Sequence, residues 1–370
     1  MVIMNKKGVF FTIMSITLIS VVLLILAPYP QQSLMMIERA DKTALEYGND
    51  FFVYLENSIL PSMVKASSYS ALNNISREYD SLLSSGKDFE TAFKMLLWNE
   101  TSTIAGLGNP YNMTYLLTEL EKEFDESSPD TFSLSLSKNY TESNISIFQN
   151  DITGPYQVGV NVSVKASLKT NVANWSSTIH ITSYVPIIGL EDPVYAHYTE
   201  GKYHNYFNLS TLDLGRNLSA TPDQLLALYT PVQIGCFLNK AWNSSCFEDH
   251  VNRSAYFKNS RAPSFIQRMN LDITYNSSCC GIESFLNPAK IDMSSIHYGP
   301  DYNDPDGDDK NMTYVDYCFF SGQCGGIEGD NPDRMKLITD LYCLNDTFPY
   351  IKIDYMRLDY YNLSECANIK

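Results

Sequence analysis

Val158-Gly-Val-Asn-Val-Ser-Val-Lys-Ala-Ser-Leu-Lys169 is the stretch whose reading decides the fold. Val158, Val160, Val162, Val164, Ala166 and Leu168 alternate with Asn161, Ser163, Lys165, Ser167 and Lys169, and an extended chain points successive side chains to opposite faces. The stretch therefore reads as a half-buried strand. Upstream, Phe132, Leu134 and Leu136 alternate with serines and are followed by Ile145 and Ile147; downstream, Ile179, Ile181 and Val185 alternate with His180, Thr182 and Tyr184. No crossover helix separates these runs, so they predict an antiparallel meander across 131–190. Its apolar face needs a cover.

The segment before it, 28–130, is patterned as helix. Ile37, Ala40, Ala44, Tyr47, Phe51 and Tyr54 recur at three- and four-residue intervals, an apolar seam from which Glu38, Arg39, Asp41, Lys42, Glu46 and Asp50 are excluded. Pro61 restricts Leu60, so the helix is expected to close there or a new one to begin. Shorter helices are expected through Tyr79 to Leu83, ended by Gly86, from Phe89 to Trp98, and around Leu116, Leu117, Leu120 and Phe124. Gly106-Leu-Gly108-Asn-Pro110 reads as a loop, Ser127-Ser-Pro129-Asp130 as a boundary, and Pro186 to Pro193 as a turn out of the sheet. The expected class is α+β, with the seam-bearing helix packed on the antiparallel sheet.

Further upstream, Val9 to Ala27 carries no charge. As a helix it is about 28 Å long, close to the thickness of a bilayer core. Lys6 and Lys7 precede it, which by the positive-inside rule leaves the N-terminus cytoplasmic and the rest outside. A removed secretory signal is the rival reading, but Ala27-Pro28-Tyr29-Pro30 lacks a small-x-small cleavage pattern. Lys6-Lys7-Gly8 directly before an uncharged span resembles the processing site of type IV pilin-like proteins, including archaeal ones. The resemblance implies cleavage after Gly8, Val9 as the new N-terminus, a long N-terminal helix laid on an antiparallel sheet, and self or other pilin-like subunits as partners. Ile13 stands where bacterial pilins carry a glutamate; archaeal members often lack that residue.

The net charge of −16 excludes a nucleic-acid surface, since nothing here would neutralise phosphates. Charged residues make up only 18%, a balance that fits a β-rich surface protein better than a cytosolic enzyme. The eight cysteines begin at Cys236, and Cys236, Cys246, Cys279, Cys280, Cys318, Cys324, Cys343 and Cys366 read as a disulfide framework. Cys236 with Cys246 and Cys318 with Cys324 are the attractive local pairs, leaving Cys279 and Cys280 to reach separately to Cys343 and Cys366. Zinc knuckles of the C-x-x-C kind are absent. Glycosylation sequons occur at Asn74, Asn99, Asn112, Asn139, Asn144, Asn161, Asn174, Asn208, Asn217, Asn243, Asn252, Asn276, Asn311, Asn345 and Asn362. They avoid the apolar span and mark a glycoprotein exterior.

Chemistry-bearing motifs are few. Asp301, Asn303, Asp304, Asp306 and Asp308 form an oxygen-rich loop turned at Gly307, which reads first as a solvated turn and second as a Ca2+ site. It is not an EF-hand, because Gly307 in sixth place puts Tyr302 first and Thr313 twelfth. The same loop holds D-x-D spacings, and with the membrane topology they resemble a lumenal type II membrane glycosyltransferase, though no βαβ alternation surrounds them. His180, His197, His204, His250 and His297 are scattered, and no nucleophile-elbow, zinc-protease, Walker or dinucleotide motif is present. Trp98, Trp175 and Trp242 could stack on sugars but read first as packing residues. Pro222 to Tyr229 reads as a short capped helix and Tyr350 to Tyr361 as a strand.

The expected organisation is a cytoplasmic leader (1–8), a transmembrane helix (9–27), a helical region (28–130), an antiparallel sheet (131–190) and a mostly β, cysteine-rich extracellular domain (191–370). The expected function is non-enzymatic: a single-pass glycoprotein of the cell membrane, serving as a pilin-like filament subunit or surface adhesion component. The alternatives are a non-polymerising anchored module for a carbohydrate or protein ligand, and the glycosyltransferase.

Overall fold

The computed structural model describes residues 28–98, 104, 106–128, 132–138, 144–210, 249–259, 262–273, 279–287, 290–291, 313–321, 335–341, 351–354 and 367–369. The leader, the apolar span, the acidic loop and the Pro222–Tyr229 segment lie outside these residues. Among the described residues, no helix is long and apolar enough to cross a membrane. The fold is α+β, a mixture of helices and mainly antiparallel sheet. It divides into two compact units: the described parts of Met1–Leu60 with Thr118–Ser137 and Val164–Ile179, and those of Pro61–Leu117, Lys138–Ser163 and His180–Lys370.

In the first unit, helix α1 (Pro28–Tyr54) runs into a π-helical turn (Leu55–Ile59). Its buried line differs from the expected seam. Ala44 and Phe51 are half-buried as expected, but Tyr47 and Tyr54 are 48% and 58% exposed, and the line runs instead through Gly48 to Leu55. Gly48 was invisible to an apolar pattern because it has no side chain. Its bareness is what the packing uses: a Cβ there would fall 2.5 Å from Cη2 of Trp175. Tyr47 meets Phe132, just before β1, edge-on at 5.3 Å, and Phe51 meets Phe124 of the helix Met113–Ser127 at 4.6 Å, so aromatic contacts surround the Gly48–Trp175 seat.

A new helix begins beside Pro61, one of the two outcomes expected there. The chain continues as α2 (Leu60–Arg77), and the π-helical turn carries the change, with the Leu60 N–H donating to the Leu55 carbonyl. Proline has no N–H to give an α-helical partner, and one wider turn absorbs that loss. The Pro61 carbonyl accepts a hydrogen bond from Ser183 Oγ at 2.9 Å.

Helices α3 (Tyr79–Ser85), α4 (Phe89–Trp98) and α5 (Met113–Ser127) stand where the sequence puts them, α3 ending at Gly86. The loop between α4 and α5 is pinned by Asn109, whose buried side-chain amide donates to the carbonyls of Ser67 and Leu96. Asn112 then caps α5 by accepting the Tyr115 N–H at 2.8 Å.

Strand β3 (Gln157–Lys169) is the strand expected, with its even-numbered apolar residues 0–1% exposed. Burial of each of its valines contributes about 1.5–3 kcal/mol. The sheet is not a meander. β1 (Ser133–Leu136) pairs with β3 from Ser133↔Lys169 to Leu136↔Ala166, and β2 (Ile145–Phe148) pairs with it from Ile145↔Val162 to Phe148↔Gly159. Two four-residue strands are too short to serve a thirteen-residue neighbour in sequence, so each satisfies a different stretch of its backbone. β4 (Asn174–Pro186) pairs with β3 through a tight turn in which the Thr170 N–H donates to the Ala173 carbonyl.

The second unit continues with α6 (Pro193–Tyr198), β5 (Phe257–Lys258), α7 (Phe265–Met269), β6 (Ile282–Glu283), β7 (Phe285–Leu286), β8 (Thr313–Val315), α8 (Asp316–Ser321), β9 (Met335–Leu341), β10 (Ile351–Asp354) and β11 (Ala367–Ile369). β5 pairs with β6, and the last five strands form one sheet in the order β11-β9-β10-β8-β7. Its pairs are antiparallel except β10 with β8, which is parallel, so the expected closing strand exists but sits in a mixed sheet.

Candidate functional site

Asp192, Arg268 and Asp316, each 0% exposed, form the most unusual chemistry of the described residues. Asp192 precedes Pro193 and caps α6 by accepting the Val194 N–H at 3.0 Å, the role its type and position favour. Arg268 is carried on α7, which opens with a capping box between Ser264 and Gln267. Asp316 is the first residue of α8, directly after β8. Three short elements thus deliver three charges to one point.

The guanidinium forks between the two acids. Nη1 meets Asp192 Oδ2 at 2.6 Å, while Nη2 meets Asp316 Oδ2 at 2.9 Å and also donates to the Ile282 carbonyl at 2.9 Å. Among the described residues, Nε has no hydrogen-bond partner. Its charge also lies over the Tyr256 ring, 5.3 Å from the centroid. Tyr256 OH donates to Asp192 Oδ2 at 2.6 Å and accepts from Asn205 Nδ2 at 3.0 Å. On the other side Ser284 Oγ donates to Asp316 Oδ2 at 2.9 Å and lies 2.7 Å from the Tyr195 hydroxyl.

Burial and the flanking charges set the proton affinities. Burial opposes the charged guanidinium, but Asp316 and Asp192 together outweigh it and hold the Arg268 pKa above its ordinary value. Burial pushes Asp316 up to about 6 against the pull of Arg268, and Asp192 adds to the rise. Tyr195 and Tyr256 are raised well above the ordinary phenol, first by burial. No member reaches the surface, so a substrate could not touch the cluster. What it can do is tie chain segments together and hold a proton.

Neighbouring polar residues are simpler. Glu191, 4% exposed, pairs with Nδ1 of half-exposed His204. His250 is buried edge-on between Phe257 and Phe285, and desolvation, with Arg253 adding, lowers its pKa to about 3. On the outer face of β3 and β4, Ser163 Oγ lies 2.8 Å from His180 Nδ1, and Thr182 Oγ1 donates to Asn161 Oδ1 at 2.8 Å.

Asn161 and Asn174 are exposed, and Asn74, Asn144, Asn208 and Asn252 are partly exposed. Asn112 is buried, its amide engaged with Asn109 and Tyr115. Cys279 and Cys280 are bonded to each other, so they do not reach separately to Cys343 and Cys366; adjacent in the chain, their sulfurs are permanent neighbours. Cys318 is also disulfide-bonded. Gly8, Val9, the remaining sequons and cysteines, and Asp301, Asn303, Asp304, Asp306 and Asp308 lie outside the described residues. Among those described, no group of three or more His, Cys, Asp or Glu side chains could hold a metal ion.

The charged cluster was missed by sequence reading. Asp192-Pro193 and Ser264-Phe-Ile-Gln267 are both helix-start signatures that place Asp192 and Arg268 at the mouths of short helices, but nothing local links them to Asp316. No protein-family model, curated protein or solved structure matches the chain.

Proposed function

We propose that this protein is a membrane-anchored extracellular glycoprotein of pilin-like build, acting as a filament subunit or surface adhesion component without a catalytic step of its own. The observation that carries this reading is the seating of α1 on the sheet through Gly48 and Trp175. That helix follows directly on the apolar run Val9–Ala27 and its Lys6-Lys7-Gly8 leader, the order a pilin-like subunit requires. The exposed amides of Asn161 and Asn174 suit glycan attachment on an exterior face. The buried ionic cluster and the bonded cysteines suit a distal module that must keep its shape outside the cell.

N-terminal sequencing of protein purified from native membranes tests the reading. Val9 as the first residue is the expected result, and a chain that retains Met1 to Gly8 overturns its pilin part. Ile13 favours a second reading, an anchored module that binds a carbohydrate or protein ligand without polymerising. Electron microscopy of the native membranes separates the two, since only the first gives filaments that an antibody to this chain decorates.

A further inference from the structure

Two carboxylates and one guanidinium, all sealed from water, leave this core with one negative charge in excess. Both oxygens of Asp192 are engaged. Its Oδ1 accepts the Val194 N–H, and its Oδ2 accepts both Tyr256 OH and Arg268. Asp316 Oδ1 is likewise engaged by the Tyr317 N–H, and its Oδ2 by Arg268 Nη2 at 2.9 Å and by Ser284 Oγ, which stands 2.7 Å from the Tyr195 hydroxyl in a pair where either oxygen can be the donor. A proton on Asp316 Oδ2 can be donated to Ser284, which turns its own hydrogen to Tyr195, while the Tyr195 hydroxyl hydrogen rotates away from Ser284. The relay reverses without moving a heavy atom.

The charged and phenolic groups around Asp316 come from several elements. Asp192 and the Tyr195 phenol come from α6 and its cap, Arg268 from α7, and Tyr256 from the strand approach to β5. Glu283, beside Ser284, turns its carboxylate to Asn259 Nδ2 at 2.9 Å.

We propose that the Asp192–Arg268–Asp316 cluster is a proton-operated clasp: a proton on Asp316 leaves the core neutral and holds α6, α7, β6 and α8 together, and its loss as the medium approaches neutrality loosens that junction. The raised proton affinity of Asp316, caused first by burial, agrees with this. Its folded pKa of about 6 lies above the ordinary 3.8, so the stability it contributes is full below about 3.8 and is lost as pH rises through 6. His250 works in the opposite sense, so the wild-type profile alone does not isolate the clasp.

The test compares the full chain with Asp316→Asn by denaturant unfolding between pH 4 and 7. The ratio of wild-type to variant unfolding constants is expected to rise on the order of tenfold per pH unit up to about 6. Parallel profiles for the two proteins overturn the proposal. Should Asp316→Asn fail to fold, wild-type chain labelled with carbon-13 at the aspartate carboxyls gives the answer by nuclear magnetic resonance. One aspartate titrating near pH 6 supports the clasp, and all aspartates titrating below pH 5 sinks it.

Discussion

Removing Arg268 would strand two carboxylates in a dry core. Arg268→Met is therefore expected to cost about 3–5 kcal/mol, read as a lowered denaturant midpoint, because the loss includes the penalty of the uncompensated charges. Arg268→Lys should recover little of it, since one ammonium cannot reproduce a planar fork that serves Asp192, Asp316 and the Ile282 carbonyl together. Gly281 is a second sensitive residue. A Cβ there would fall 2.1 Å from the Ala262 carbonyl oxygen and 2.2 Å from that of Asn259, both backbone atoms that cannot swing aside. Gly281→Ala should cost about 1–3 kcal/mol, measured in the same way. Neither residue announces itself in the sequence, because its importance depends on partners that folding brings from elsewhere in the chain.

At the scale of elements, Asn112 illustrates how one residue can read in two ways. Its sequon marks a glycan acceptor, whereas in the fold its amide caps α5 and is buried. Peptide mapping of the native protein is expected to find glycan on Asn161 and Asn174 and bare amide at Asn112, and Asn112→Ala should cost about 1 kcal/mol through loss of the cap. Elements with a regular apolar period were legible. β3 and the helices α3 to α5 follow from alternation, spacing and Gly86, because burial enforces the same period on the side chains. Two things were not legible. The line of α1 turns on Gly48, which adds nothing to a hydrophobic pattern, and the pairing of β1 and β2 with β3 depends on strand lengths that serines and masking polar residues blur. Of the candidate site, only the helix-start signatures around Asp192 and Arg268 could be read, since ion pairs between distant segments leave no local period.

Across the whole molecule, His250 sets an acid limit. Its folded pKa of about 3 lies below the ordinary 6.5, so the stability gained by keeping it neutral is full above about 6.5 and is lost as pH falls towards 3. His250→Phe is expected to flatten that acid loss, by about 1.4 kcal/mol for each pH unit below 6.5, in unfolding curves taken from pH 7 to pH 4. The way β3 is served by its neighbours has a consequence in time. Its pairing with β4 closes over the Thr170–Ala173 turn, a local step that hairpins complete in about 1–10 μs, whereas Ser133 must find Lys169 across all the intervening chain, β2 included. The hairpin is then the early template and β1 a late arrival. In stopped-flow experiments Val162→Ala should slow refolding, while Leu134→Ala should chiefly quicken unfolding, so the short strand that adds least to the nucleus governs how long the folded chain persists.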